Sequence, residues 1–176
     1  MRKIYLLLIL ILCLQTAQSK TILGVKEFCP KSEAKKILID TYGDTKIYDD
    51  GNSLIVANPS IGGYRFSLCE LLFTQIDGKN LFNGATFQKW FSESELNTAK
   101  ELRDNLMKSL HKKYGEELYV EFKNSQGFKC CEFGTFEEGS VGTVELSRDN
   151  GQDGKERIYL TLYYHPFNNE AINNEL

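Results

Sequence analysis

The sequence lacks the residue spacings that usually hold catalytic metals or phosphate groups. It has only two histidines, His111 and His165, and they fall in different predicted elements. No H-x-x-x-H or C-x-x-C spacing occurs, and neither a G-x-x-x-x-G-K-S/T nor a G-x-G-x-x-G loop is present. We therefore expect no metal site, no phosphate-binding loop and no cofactor.

An excess of basic charge is also missing. Twenty-one Lys and Arg residues stand against 24 Asp and Glu residues, which gives a formal net charge of −3. Nucleic acid and anionic membranes need a basic surface, so we expect neither as a partner. No N-x-S/T glycosylation site exists, because Asn58-Pro59-Ser60 is excluded by its proline. This pattern fits a bacterial envelope protein better than a eukaryotic secreted one.

Only the N-terminus carries a long apolar run. Residues 4–14 are apolar throughout and follow two basic residues, and Ala17-Gln18-Ser19 has the small-x-small pattern of a cleavage site. The run is too short to cross a bilayer core of roughly 30 Å. We predict that residues 1–19 are a signal peptide and that the mature chain, without a transmembrane segment, is exported to the periplasm or beyond. Lipidation of Cys13, which would anchor the protein to a membrane, is the alternative.

Four cysteines remain after the predicted cleavage: Cys29, Cys69, Cys130 and Cys131. An even number in an oxidising compartment suggests disulfides, and four cysteines allow three pairings. A bond between the adjacent Cys130 and Cys131 would strain the peptide that joins them, so two bridges would divide Cys29 and Cys69 between them. Buried thiols that pack as small hydrophobic groups are the other interpretation.

Residues 91–115 carry the clearest secondary-structure signal. Ser92 and Glu95 form an S-x-x-E capping box, and Gly115 provides the terminating glycine. Between them, apolar side chains recur at intervals of three and four, at Leu96, Ala99, Leu102, Leu106, Leu110 and Tyr114. We predict an amphipathic helix here that packs on a sheet.

An internal sequence repeat suggests that the mature chain, residues 20–176, is a duplicated single domain. A second helix is predicted for residues 32–42, and both helices end in Tyr-Gly. Turn glycines repeat as well: Gly51 and Gly127 lie 76 positions apart, as do Gly78 and Gly154. We predict an α+β fold of two pseudo-repeats, about residues 21–90 and 91–166, followed by a tail at 167–176. Each repeat is a helix followed by a four-stranded antiparallel meander, with the helices packed on one sheet face.

Alternation along the later strands separates the two faces of the predicted sheet. Ile158, Leu160, Leu162 and Tyr164 fall on one side, and Tyr159, Thr161, Tyr163 and His165 on the other. Leu118, Val120 and Phe122 likewise oppose Tyr119, Glu121 and Lys123. We expect the aliphatic sets to face the helices and the tyrosine-bearing sets to face outward.

The order of a helix and four strands, given twice with Tyr-Gly helix endings, resembles the β-lactamase-inhibitor-protein fold of exported bacterial proteins. It is also similar to the small outer-membrane-assembly lipoproteins, which place helices before a sheet. The resemblance implies a binding function without catalysis. Inhibitors of that type insert an acidic hairpin into their target, and Asp49-Asp50 occupies a comparable place in this chain.

These observations favour a non-enzymatic binding protein with an open sheet face. We predict that this face engages an envelope or extracellular protein or a glycan through the binding residues Tyr119, Tyr159, Tyr163, His165 and Trp90, because Tyr and Trp combine apolar area with a polar group. A small envelope hydrolase or thiol enzyme using Cys130 or Cys131 with His165 is the second hypothesis. An envelope assembly factor is the third.

Overall fold

The structure, a computed structural model, describes residues 21–134, 142–151 and 154–164. The predicted signal peptide, Cys13, His165 and the predicted tail lie outside these residues. Two helices are described, α1 (Lys31–Tyr42) and α2 (Leu96–Tyr114). The strands are β1 (Thr21–Ile22), β2 (Val25–Lys26), β3 (Ile47–Asp49), β4 (Ser53–Ala57), β5 (Ser60–Ile61), β6 (Tyr64–Arg65), β7 (Leu68–Ile76), β8 (Lys79–Ser92), β9 (Tyr119–Lys123), β10 (Lys129–Phe133), β11 (Gly142–Asn150) and β12 (Glu156–Tyr164).

The prediction of two pseudo-repeats, each a helix with its own four-stranded meander, is wrong, although the α+β class agrees with the structure. The described residues form two helices and one antiparallel sheet of eight strands, in the order β3-β4-β7-β8-β12-β11-β10-β9. Eight residue pairs join β8 to β12, from Ser92–Arg157 to Ala85–Tyr164. Two small sheets, β1–β2 and β5–β6, also lie outside the predicted pattern.

Pairing of β8 with β12 has a simple physical advantage over two separate meanders. Each free meander would leave two edge strands with unpaired backbone N–H and C=O groups, whereas the joined sheet leaves only β3 and β9 at its edges. Turn signals report only which strands are neighbours in sequence. They carry no information about this long-range contact.

Local signals for the long helix are confirmed. The Ser92 backbone N–H and its hydroxyl both donate to Glu95 Oε2, at 2.9 and 2.7 Å, which completes the capping box at the 3-10 turn before α2. At the other end Gly115 has a positive φ of 74°, and its N–H donates to the carbonyl of His111 at 2.9 Å. These contacts satisfy backbone groups that a helix end leaves without partners.

One face of the sheet forms the core with the helices. Ala34 and Leu38 of α1, and Ala99, Leu106 and Leu110 of α2, are buried against it. The strand residues beneath them include Leu54, Val56, Leu71, Phe87, Val144, Leu146, Ile158, Leu160 and Leu162. The β5–β6 hairpin also reaches this side, because the Tyr64 hydroxyl contacts the Asn105 carbonyl and the Ser109 hydroxyl of α2 at 2.9 and 2.8 Å.

Among the described residues, no helix has the length and apolar character needed to cross a membrane.

Gly142 allows a close approach between β10 and β11. Its register partner Phe133 lays its ring over the glycine, and an added Cβ would come within 2.1 Å of Phe133 Cζ and 2.7 Å of the Tyr163 carbonyl oxygen. Phe133 is 1% exposed and packs against Tyr114 and Tyr164. A side chain at position 142 would therefore displace a ring at the centre of the core.

We predict that Gly142→Ala lowers the free energy of unfolding by about 1–3 kcal/mol, because overpacking forces Phe133 out of its place. Chemical denaturation followed by circular dichroism measures the change. Ser147→Ala on the opposite face of the same strand is the control and should change stability by less than about 0.5 kcal/mol. Equal stability of Gly142→Ala and the parent protein would contradict the described packing.

Candidate functional site

The sheet face opposite the helices is the candidate site. Register pairing places the same-facing residues of neighbouring strands side by side. We call this surface the open face, and it carries Tyr48, Ile55, Leu68, Glu70, Thr86, Gln88, Trp90, Val120, Phe122, Cys130, Glu132, Thr143, Glu145, Ser147, Arg157, Tyr159, Thr161 and Tyr163. Among these residues, Thr86, Cys130, Thr143 and Thr161 are buried. Both described helices contact the other side of the sheet, so neither of them covers it.

Three of the predicted binding residues lie on the open face. Trp90 of β8 lies directly opposite Tyr159 of β12, and Trp90 is 42% exposed. Tyr163 stands four residues further along β12, roughly 13 Å from Tyr159 at the strand rise of about 3.3 Å per residue. Thr161 lies between the two tyrosines and is only 4% exposed. The aromatic cluster Trp90, Tyr159 and Tyr163 therefore borders a shallow floor of small and polar side chains.

Carboxylates surround Tyr163. Across the sheet, Tyr163 has Thr143 and Thr86 as its register partners, and Glu132 and Glu70 follow on the next strands to either side. Glu145 is held near by the Asn124 side-chain amide, which donates to its Oε1 at 3.0 Å. Burial, and to a smaller extent the charge of Glu145, raises the pKa of Tyr163. Tyr163 thus has hydroxyl-bearing neighbours on the adjacent strands and carboxylates on the strands beyond them.

Sequence reasoning missed Glu70, Glu132 and Gln88 as members of this surface. Glu70 and Gln88 come near β12 only through the β8–β12 contact, whereas Glu132 lies on β10, which is joined to β12 through β11. Gln88 lies opposite Thr161 in that contact. No short-range signal in the chain indicates this neighbourhood.

Tyr119 does not belong to the open face, so its predicted outward position is wrong. It lies on the helix side, where it is 8% exposed and its ring stacks on His111 at 4.7 Å between centroids. Its hydroxyl donates to Glu121 Oε1 at 3.0 Å. Burial, followed by contact with Cys131, raises the pKa of this hydroxyl. His165, the fifth predicted binding residue, lies outside the described residues.

The aliphatic set on β9 is also reversed relative to prediction. Val120 and Phe122 were expected beneath α2, but they lie on the open face and are 61% and 40% exposed. The alternation of β9 is regular, but the side that faces α2 is the one that carries Tyr119. The Tyr119 ring stacks on His111 of α2 and forms part of the core there. The edge strand therefore presents its apolar residues outward.

All four described cysteines are buried thiols. The structure joins none of them to another described residue, so it supports the thiol interpretation and offers no support for the predicted disulfides. Burial is the largest cause that raises the pKa of each thiol, and the pKa of Cys131 reaches about 11. A nucleophilic cysteine needs the opposite shift, so neither Cys130 nor Cys131 has the environment of a catalytic thiol.

The acidic hairpin suggested by the resemblance is tied to its own helix. Asp49 binds Lys31 at 2.7 Å and Lys35 at 3.1 Å, and these lysines hold the pKa of its carboxyl far below the usual range. Asp50 accepts hydrogen bonds from the backbone N–H groups of Asn52 and Ser53. Lys31, Lys35 and Asp49 line a cleft of about 450 Å³ at the start of α1. Both carboxylates therefore already have hydrogen-bond or ion-pair partners within the chain.

Metal-binding groups do not cluster in the part of the chain that the structure describes. No set of three or more His, Cys, Asp or Glu side chains lies close enough there to hold an ion. Comparisons with protein-family models, with curated proteins and with solved structures give no match to this chain. The resemblance to β-lactamase-inhibitor-type folds therefore stays a prediction.

We predict that the four buried thiols react slowly with an alkylating reagent near neutral pH. With a raised pKa only a small fraction is thiolate, on the order of one part in a thousand at pH 8 for Cys131. Mass spectrometry of the native protein after timed labelling measures the rate, and the same protein in guanidinium chloride is the control. Fast modification of Cys130 or Cys131 in the native state would favour the thiol-enzyme hypothesis.

Proposed function

We propose that this is an exported, non-enzymatic binding protein whose open face engages a protein or glycan partner. The observation that carries the proposal is the register pairing of Trp90 with Tyr159 across β8 and β12, with Trp90 42% exposed on a face that no described helix covers. Large aromatic side chains are costly to leave in water and are enriched where partners bind. Tyr163 extends the same surface along β12.

The charge of the open face narrows the chemistry of its partner. Glu70, Glu132 and Glu145 lie around Tyr163, and Arg157, two residues before Tyr159 on β12, is a basic residue on the same face. A polyanion such as nucleic acid would be repelled, whereas a basic or uncharged surface would be accepted. A protein surface with exposed Arg or Lys side chains fits best.

A glycan is the second candidate, and one observation favours it. The aromatic cluster borders hydroxyl and amide groups, because Thr161 and Gln88 form a register pair between Tyr159 and Tyr163. Sugar rings stack on aromatic faces through their apolar C–H groups and use their hydroxyls for hydrogen bonds. A floor of this composition offers both contacts.

Export is part of the proposal and rests on the N-terminal sequence, in which a short apolar run follows two basic residues and precedes a small-x-small site. We place the protein in the periplasm or outside the cell. An envelope assembly factor would use the same face and would be marked by a lipidated Cys13. A thiol enzyme is the weaker alternative, because burial raises the pKa of both Cys130 and Cys131.

We predict that replacing Trp90 and Tyr159 together by alanine abolishes partner binding and leaves the thermal melting temperature within a few degrees of the parent value. Both side chains keep exposed or half-buried surface, so their removal opens no cavity in the helix-side core. A photo-crosslinking amino acid at position 159, introduced in producing cells, captures the partner, and isolated glycans are tested separately by calorimetry.

Tyr48 provides the matched control. It is 58% exposed and lies on the same face, but three strands away from β8. A crosslinker at position 48, and the Tyr48→Ala variant, should leave partner capture and binding unchanged. Equal crosslinking from positions 48 and 159 would argue against a defined site. Retained binding by the double alanine variant would contradict the proposal.

A further inference from the structure

The exposed edge of β9 points to self-association. β9 is the last strand of the eight-stranded sheet, and the described residues include no strand beyond it. Its outer side carries two large apolar residues, Val120 at 61% and Phe122 at 40% exposure. Proteins usually protect an edge strand with charge, proline or a covering segment, since an open apolar edge pairs with other strands.

The opposite edge of the sheet is shorter and lacks adjacent exposed aliphatic and aromatic side chains, although β9 also carries charge at Glu121 and Lys123. β3 has only three residues, and its Asp49 is held by Lys31 and Lys35 of α1. Tyr48 is its one exposed aromatic residue. β9 has five residues, four of them exposed. The two edges are therefore not equivalent.

Hydrogen bonds to β10 fix which backbone groups of β9 are free to pair. The carbonyl of Leu118 accepts from the N–H of Gly134 at 2.8 Å, and the N–H of Asn124 donates to the carbonyl of Phe128 at 3.0 Å. In an antiparallel ladder the bonding residues alternate, so the even-numbered residues of β9 bond inward to β10. The N–H and C=O groups of Tyr119, Glu121 and Lys123 point away from the sheet.

Three antiparallel registers would join β9 to β9 of a second copy through these free groups. With Glu121 on the symmetry axis, the Glu121 carboxylates of the two copies would face each other and repel. Each of them already contacts Tyr119 and Lys129 of its own copy. With Phe122 on the axis, Val120 would face the polar Asn124. With Val120 on the axis, Phe122 faces Leu118 of the second copy, the turn residue directly before β9 whose carbonyl still accepts from Gly134, so all three apolar pairs are matched.

Charge also selects the register with Val120 on the axis. It sets Lys123 opposite Glu117 of the second copy, which lies in the turn just before β9, and symmetry makes this ion pair twice. Within the described residues neither Lys123 nor Glu117 has an ion-pair partner, and both are exposed. Glu121 then faces Tyr119 and keeps its own contact with Lys129 at 2.7 Å. Opposite charges directly across a strand pair stabilise it.

We propose that the protein forms a two-fold symmetric dimer through β9, in which Val120 of one copy lies opposite Val120 of the second. The two eight-stranded sheets then form one continuous sheet with a shared open face. Val120 and Phe122 become cross-strand contacts in place of exposed apolar side chains. Dimerisation does not depend on the proposed binding function, so each can fail alone.

Crosslinking of single cysteine variants tests the dimer and its register together. Cross-strand residues at a non-hydrogen-bonded position have Cα atoms about 4.5 Å apart, within the range of a disulfide. Under mild oxidation Val120→Cys should form a covalent dimer. Phe122→Cys should not, because two copies of residue 122 are separated by four residues, roughly 13 Å. The parent protein, whose described cysteines are buried, gives the background.

Sedimentation velocity over a range of concentrations gives a measurement free of cysteine chemistry. The parent protein should show a dimer. Val120→Lys should weaken dimerisation at least tenfold, whereas Tyr48→Lys on the opposite edge should leave it unchanged. Lys123→Glu should weaken it roughly tenfold, and Lys123→Glu combined with Glu117→Lys should restore it, because the ion pair is re-formed with its charges exchanged.

Each result decides the proposal. Crosslinking through position 120 together with rescue by the charge exchange supports the dimer in this register. A monomer at all concentrations would overturn the proposal, even if the protein still bound a partner through Trp90 and Tyr159. A dimer that is unaffected by Val120→Lys, or that crosslinks through position 122 instead, would overturn the assigned contact. Circular dichroism of each variant verifies that the fold is retained.

Discussion

The pairing of β8 with β12 is the contact on which the rest of the structure depends. Eight residue pairs connect strands that are far apart in sequence, and they turn two successive hairpin series into one sheet. This contact buries Phe87 against Leu162 and Phe91 against Ile158 on the helix side. On the other side it places Trp90 beside Tyr159 and Gln88 beside Thr161. A single set of backbone hydrogen bonds thus assembles both the core beneath the helices and the candidate binding surface.

The two faces of the sheet differ in chemistry, and the two described helices cover only one of them. On the covered face, Leu160 and Val144 are fully buried, and α2 contacts the strands β12 and β11 that carry them. The open face carries small hydroxyl-bearing residues at its centre, large aromatic residues beside them, and carboxylates further out. A hydrophobic core could use the aromatic rings, but burying several carboxylates there would cost free energy. That combination is better suited to a partner that supplies positive charge or hydrogen-bond donors.

Local features of this fold could be predicted from the sequence, and contacts between distant segments could not. The Ser92–Glu95 capping box, the Gly115 helix end and the Asp77-Gly78 hairpin each follow from residues within a few positions of one another. The strand alternation correctly separates Leu160 and Leu162 from Tyr159 and Tyr163. It failed at Val120 and Phe122, because on an edge strand burial depends on which neighbour covers it, and Tyr119 with His111 takes that place. Buried Arg103, bound to Asp104, is likewise invisible to an apolar pattern.

Amide hydrogen exchange tests the central role of the β8–β12 contact most directly. If this contact organises the molecule, the amides of Phe87, Leu160 and Leu162 should be the slowest to exchange, and they should open only with global unfolding. Amides of the edge strands β3 and β9 should exchange faster. The opposite result would be exchange of the β8 and β12 amides as fast as that of the edge strands, with different exchange rates in β4–β7 and in β10–β11. It would contradict the central role of the β8–β12 contact. That result would mean that the two hairpin series fold as independent units and that the open face is not one surface.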